Sequence, residues 1–212
     1  MDNVSVLFYT PSVYEIPIRS LDGSTNTLLK SLEGFVCLHV NIATKTNYQP
    51  KTKKVWSYAR TSKHLYELQQ VHNLYKHKNF SVVGYPCNQI SDMELGSDDE
   101  ILKNIQDNYP FVTFPISHKI EINGQNEHPV WTFLKGGQIR AVDDTPADTS
   151  VAASNGQNKA GGSIMRIPNN YEKILTTRSG QLDVRFNWAE SPISESIVLG
   201  YPSIREMIER IL

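Results

Sequence analysis

The residues of this chain whose types could do chemistry are two cysteines, two threonines past a strand end, three spaced histidines and a basic, aromatic run. Cys37 and Cys87 are its only thiols. A thiolate could attack a peroxide, but a cysteine inside an apolar run behaves as a small hydrophobe with a raised pKa. Both lie in such runs, Cys37 within the first and Cys87 at the end of the second, so Cys87 is the better candidate nucleophile. Thr44 and Thr46 follow Val40-Asn41-Ile42. A threonine nucleophile needs an adjacent base, and none is evident, so capping the next helix is the plainer role for either. His64, His72 and His77, at offsets of eight and five, share no helical face; they read as surface residues rather than metal ligands. Lys51, Lys53, Lys54, Trp56, Tyr58 and Arg60 mix positive charge with rings. Such a run suits single-stranded nucleic acid, a protein partner met through its aromatics, or packing on its own domain.

These groups need elements to hold them. Phe35 to Ile42 is a near-continuous apolar run, as for a strand covered on both faces, and it runs off into the polar Ala43 to Asn47. In open α/β sheets chemistry collects just past such ends. Before it, Tyr14 to Arg19 with its Asp22-Gly23 turn reads as a short strand or hairpin, and Thr27 to Gly34 as a helical turn closed by glycine. After it, Tyr48 to Arg60 shows no clear period and reads as an insertion at about 48–61. Leu65, Leu68, Val71 and Leu74 mark a helix from Ser62 to about Lys78. Phe80 to Tyr85 is a second buried strand, halted by Pro86. Ser97 to Glu100 is a capping box opening a helix through Ile105, and Ser203 to Glu206 opens a terminal one. Lys119 to Ile122 reads as a strand edge, Val130 to Leu134 as a short helix, and Ile174 to Thr177 with Leu182 to Phe186 as a hairpin. About 136–163 is rich in small and polar residues, reads as a mobile loop, and cannot pack a core. Trp188 reads as packing. The sum is an α/β layer sandwich, a mixed central sheet flanked by helices, with 1–212 as one domain.

Charge is balanced, 21 Lys and Arg against 22 Asp and Glu, so no global field draws nucleic acid or anionic membrane. Two cysteines in buried runs argue against a disulfide-stapled secreted domain and for a reducing compartment, the cytoplasm. No run is long and apolar enough to span a bilayer, and the start shows no targeting signal, although a chain whose leader had been cleaved would look the same. No cofactor is implied.

Several segments, taken in order, resemble the glutathione peroxidase family, whose fold is thioredoxin-like. They are Gly34 to Thr44, Tyr85-Pro86-Cys87-Asn88-Gln89-Ile90, Glu94 to Ile101, Phe114-Pro115-Ile116, Asn123-Gly124 with His128 to Lys135, and Asn170 to Leu175. The resemblance implies a tetrad of peroxidatic cysteine or selenocysteine, Gln, Trp and Asn. Along Asn41-Ile42-Ala43-Thr44-Lys45, Thr46 falls at the nucleophile; Met93 falls at the Gln and Asn169 at the Trp. Asn170 alone matches, and no resolving cysteine lies between Ile101 and Tyr109. A threonine hydroxyl is un-ionised at neutral pH and has no counterpart of the sulfenic state. The expectation is a member that has lost peroxidase activity and serves as a structural or interaction subunit with a protein partner. The competing expectation is a divergent thiol peroxidase using Cys87 with glutathione or thioredoxin.

Overall fold

The computed structural model describes residues 12–44, 55–136, 166–195 and 200–212, the side chains of 55–60 apart. Its central sheet is built on β1 (Val36–Ile42), every residue of which is buried. β1 pairs in parallel with β2 (Phe80–Pro86), in register from Val36 opposite Phe80 to Ile42 opposite Pro86. On its other side β1 meets β3 (Lys173–Thr176) antiparallel, and β3 meets β4 (Leu182–Phe186) antiparallel. The order β2-β1-β3-β4 makes the expected mixed sheet.

Period-two alternation along β1 divides the core. Val36, Leu38, Val40 and Ile42 face a cluster with Leu65, Leu68 and Val71 of α1 (Val55–Tyr75), Ile101 and Ile105 of α2 (Asp98–Asn108), and Met207 and Ile208 of α4 (Ile204–Ile211). Cys37 faces the opposite cluster, with Val83, Tyr85, Cys87 and, from α3 (Pro129–Lys135), Trp131 and Leu134. Each fully buried aliphatic side chain contributes about 1.5–3 kcal/mol, so both layers are needed to hold β1 between them.

Both capping boxes form, at Ser97 with Glu100 and at Ser203 with Glu206. The Asp-Gly turn and the glycine closing the first helical turn are confirmed by positive φ at Gly23 and Gly34. Elsewhere the expected elements shift. α1 begins at Val55, inside the segment read as an insertion, so the absence of a clear period in the sequence does not mark the absence of a helix there. On α1 the buried hydrophobic residue of the last turn is Tyr75, while Leu74 is 52% exposed: a spacing of three drifts off a 3.6-residue helix. Tyr14 to Arg19 holds a short 3-10 turn, Val13–Glu15, and isolated bridges rather than a strand. Lys119 to Ile122 forms no strand, since the Ile122 N–H is taken by the Gln89 side chain instead of a neighbouring strand. His64 and His72 are buried, not on the surface; only His77 of the three is exposed. His72 Nδ1 accepts from Val82 N of β2 at 3.3 Å, and His64 stacks on Tyr171.

The loop expected over 136–163 falls, but for Gly136, outside the described residues. So do Thr46, Lys51, Lys53 and Lys54, and the side chains of Trp56, Tyr58 and Arg60.

Candidate functional site

The carboxyl end of β1 is held by a carboxylate. Glu94 is fully buried; its two oxygens accept from the Thr44 backbone N–H and, at 3.0 Å, from Thr44 Oγ1. Asn104 of α2 donates to Thr44 O at 3.2 Å and to Thr44 Oγ1 at 3.0 Å, and Tyr109 Oη donates to the same carbonyl. Thr44 is therefore tied back to α2 rather than capping α1, as the sequence suggested. A buried carboxylate without donors costs several kcal/mol, and these partners are what make Glu94 tolerable there.

Asn170 sits on a second turn, clamped from both ends by Asn41. Asn41 Nδ2 donates to Asn169 O at 2.9 Å, and Asn41 O accepts from Tyr171 N at 2.7 Å. Tyr171 takes φ +68, a costly conformation for a bulky residue, which persists only where the surroundings over-determine it. They do: Tyr171 Oη donates to Ala43 O at 2.6 Å and its ring stacks on His64 at 4.4 Å. Lys173 Nζ adds donations to the Tyr171 and Trp188 carbonyls, and burial lowers its pKa to about 8. Trp188, read as packing, meets His64 edge-on.

The turn directs Asn170 Nδ2 at Ile90 O, 3.2 Å away, and at Met93 Sδ, 3.8 Å away. Asn170 Oδ1 is buried without a hydrogen-bond partner. Two of the four singled-out positions, Met93 and Asn170, are thus brought together. The Asn169 amide instead turns to Glu172 Oε1 at 3.4 Å.

Cys87 belongs to the α3 side of the sheet. Its backbone N–H reaches Ile42 O at 3.1 Å, its sulfur accepts from Gln89 N at 3.4 Å, and it is 0% exposed. Burial pushes its thiol pKa up, against two backbone N–H groups that lower it. Cys37 is equally sealed, and burial pushes it to about 12. Among the described residues no group of His, Cys, Asp and Glu could hold a metal, and no helix is long and apolar enough to cross a membrane.

In the sequence Glu94 and Tyr171 stand within motifs without a role of their own, His64 reads as a surface residue, and nothing marks Asn104 or Tyr109. The motif Glu94-Leu95-Gly96-Ser97 was the one available signal; the others carry none, because an Asn or Tyr on a helix or turn looks alike whether it faces solvent or a strand end.

The family model described as glutathione peroxidase matches residues 13–135. The glutathione peroxidase-like peroxiredoxin HYR1 of Saccharomyces cerevisiae is 33% identical over 165 residues, 78% of this chain and 80% of that protein. The glutathione peroxidase-like peroxiredoxin gpx1 of Schizosaccharomyces pombe is 33% identical over 179 residues, 84% of this chain and 90% of its own. The crystal structure of Trgpx in apo form superposes with a TM-score of 0.58 at 21% identity, covering 95% of this chain and 96% of that one, which bears out the α/β thioredoxin-like fold.

Proposed function

The chain belongs to the glutathione peroxidase family, and from that premise we propose that it keeps the family's frame as a structural or interaction subunit without running a thiol peroxidase cycle. The observation that carries this is the sealing of both thiols. Reduction of a hydroperoxide by a thiol needs a thiolate that solvent can reach and that passes through a sulfenic acid. Cys37 and Cys87 are the only cysteines, both are 0% exposed, and burial raises both pKa values. Thr46 stands where the family motif has its nucleophile, and an alcohol cannot replace a thiolate in that cycle. The proposed partner is a protein of the cytoplasm, met through the segment carrying Lys51, Lys53, Lys54, Trp56, Tyr58 and Arg60. Nucleic acid on that segment is the weaker alternative and would show as affinity falling steeply with salt.

The second reading is a divergent thiol peroxidase acting through Cys87. The relatives favour it, since both yeast proteins are named peroxiredoxins. The two readings part in one assay: the purified chain is given hydrogen peroxide or a lipid hydroperoxide with glutathione or with thioredoxin and its reductase. The first reading expects no turnover above the thiol background. Turnover that disappears in Cys87→Ser would overturn it in favour of the second.

A further inference from the structure

A cleft of about 480 Å³ opens between the turn at Asp22-Gly23, the last turns of α2 and the segment from Pro110 to Ile116. Small-molecule sites run from about 300 to 1,000 Å³ and are mostly apolar with a few placed polar groups. The apolar lining here is firm, since Leu21, Ile105, Tyr109 and Phe114 belong to the core and are at most 6% exposed. Its charge has one sign. Asp22 is the only Asp, Glu, Lys or Arg in the lining. The cations nearest in sequence are engaged elsewhere, Arg19 with Asp98 at 2.5 Å and Lys103 with Asp107 at 2.9 Å. The turn holds Asp22 in place. Ser20 N donates to Thr25 O at 2.9 Å and Gly23 N to Ser20 O at 3.1 Å. Asp22 Oδ1 accepts from Ser20 Oγ at 2.6 Å, Ser24 N at 3.0 Å and Ser24 Oγ at 2.8 Å, and these donors hold its pKa down at about 2. All three reach the same oxygen. Among the described residues none donates to Oδ2, so one side of the carboxylate is fixed and the other is free for a ligand. α2 also ends at the cleft, through Gln106 and Tyr109, and a helix carries partial negative charge at that end.

We propose that this cleft binds small amphipathic amines, the ammonium pairing with Asp22 Oδ2 and the hydrocarbon lying along Leu102, Ile105 and Ile116. Charge complementarity selects the class. An anion is repelled by Asp22 and by the end of α2, and a neutral hydrocarbon leaves the free carboxylate oxygen unused. An ammonium meets it with a charge-assisted hydrogen bond, roughly twice as strong as a neutral one. The hydrocarbon supplies the remaining affinity by leaving water for apolar surface. Tyr109 links the cleft to the strand end, since it lines the cleft while its hydroxyl donates to Thr44 O at 3.2 Å. The site uses neither thiol and none of residues 51–60, so it stands or falls separately from the proposed function.

The test titrates the full chain at neutral pH with n-hexylamine, 1-hexanol and hexanoate, three ligands of one chain length and different head, and follows its methyl resonances by NMR. n-Hexylamine is expected to give saturable shifts at the methyls of Leu28, Leu102, Ile105 and Ile116. It is expected to bind about tenfold more tightly than 1-hexanol, the size of one hydrogen bond to a charged group at a solvent-facing carboxylate. Hexanoate is expected to bind more weakly than the alcohol. Asp22→Asn keeps an oxygen for Ser20 and Ser24 and removes the charge. It is expected to bring n-hexylamine down to the affinity of 1-hexanol and to leave 1-hexanol unchanged, with circular dichroism native. No saturable shift at these methyls, a ranking other than amine over alcohol over carboxylate, or a folded Asp22→Asn that keeps the wild-type preference overturns the proposal. Should Asp22→Asn not fold, the wild-type ranking of the three ligands decides alone.

Discussion

Cys87 and Met93 lie six residues apart on one segment, yet the fold treats their sulfurs in opposite ways. Cys87 directly follows β2 and sits in the cluster on the α3 side with Ile122 and Trp131, where burial raises its thiol pKa. Met93 follows two left-handed residues that carry the chain out to the rim, against Asn170. The lesson concerns reactivity: for a thiol, access and ionisation both matter, and the interior denies both; for a thioether, access is enough.

The contrast can be broken most forcefully from the sealed side. Ile122→Ala removes a fully buried side chain beside Cys87 and is expected to cost about 2–5 kcal/mol. The loss is read from urea midpoints, with Cys87 becoming measurably reactive toward a thiol reagent as the cover opens. An unchanged midpoint would mean that this layer is not what seals the thiol.

Acid tests the sealing differently. His39 is fully buried on the same face as Cys37, its ring bonded to Tyr85 Oη at 2.7 Å and Thr176 Oγ1 at 3.1 Å, and burial lowers its pKa to about 3. The unfolded chain takes up this proton below about pH 6.5 while the folded chain refuses it down to about pH 3. Stability is therefore complete above pH 6.5 and falls across that window, by about 3 kcal/mol between pH 7 and pH 4 for this residue. Urea midpoints taken at pH 7, 5.5 and 4 check it; level midpoints would show that protons reach the interior without unfolding.

On the open side the effects are smaller. Glu94→Ala leaves the Thr44 N–H and hydroxyl without their acceptor and is expected to cost about 1–3 kcal/mol, read from urea midpoints. An unchanged midpoint would show that Glu94 does not hold the strand end. Smallest of all, Leu95→Ser at a position 66% exposed is expected to change stability by less than about 0.5 kcal/mol, and a larger loss would reveal that the rim is packed after all.

Much of the frame was legible because it rests on local chemistry. The capping boxes at Ser97 and Ser203 are satisfied within one turn, and an apolar run as long as Phe35 to Ile42 has few homes other than a doubly covered strand. What was not legible depended on who meets whom across the chain. His64 looks like any polar residue of a helix until Tyr171, far along the sequence, is folded over it with its ring at 4.4 Å. Thr44 looks like a cap until Glu94 arrives as its acceptor. The start of α1 at Val55 was hidden for the opposite reason, since its first turns carry no apolar stripe to betray them.

The sequence by itself determined the number of thiols, the threonine at position 46, the apolar run that makes β1 a doubly covered strand, and the order of motifs that mark the family. These are properties of residue type and spacing, and no contact is needed to read them. Tertiary structure alone decided which sulfurs are sealed in the core and which amide stands beside Met93. Exposure and a 3.8 Å approach between Asn170 and Met93 arise only when segments distant in sequence are packed at the same strand end.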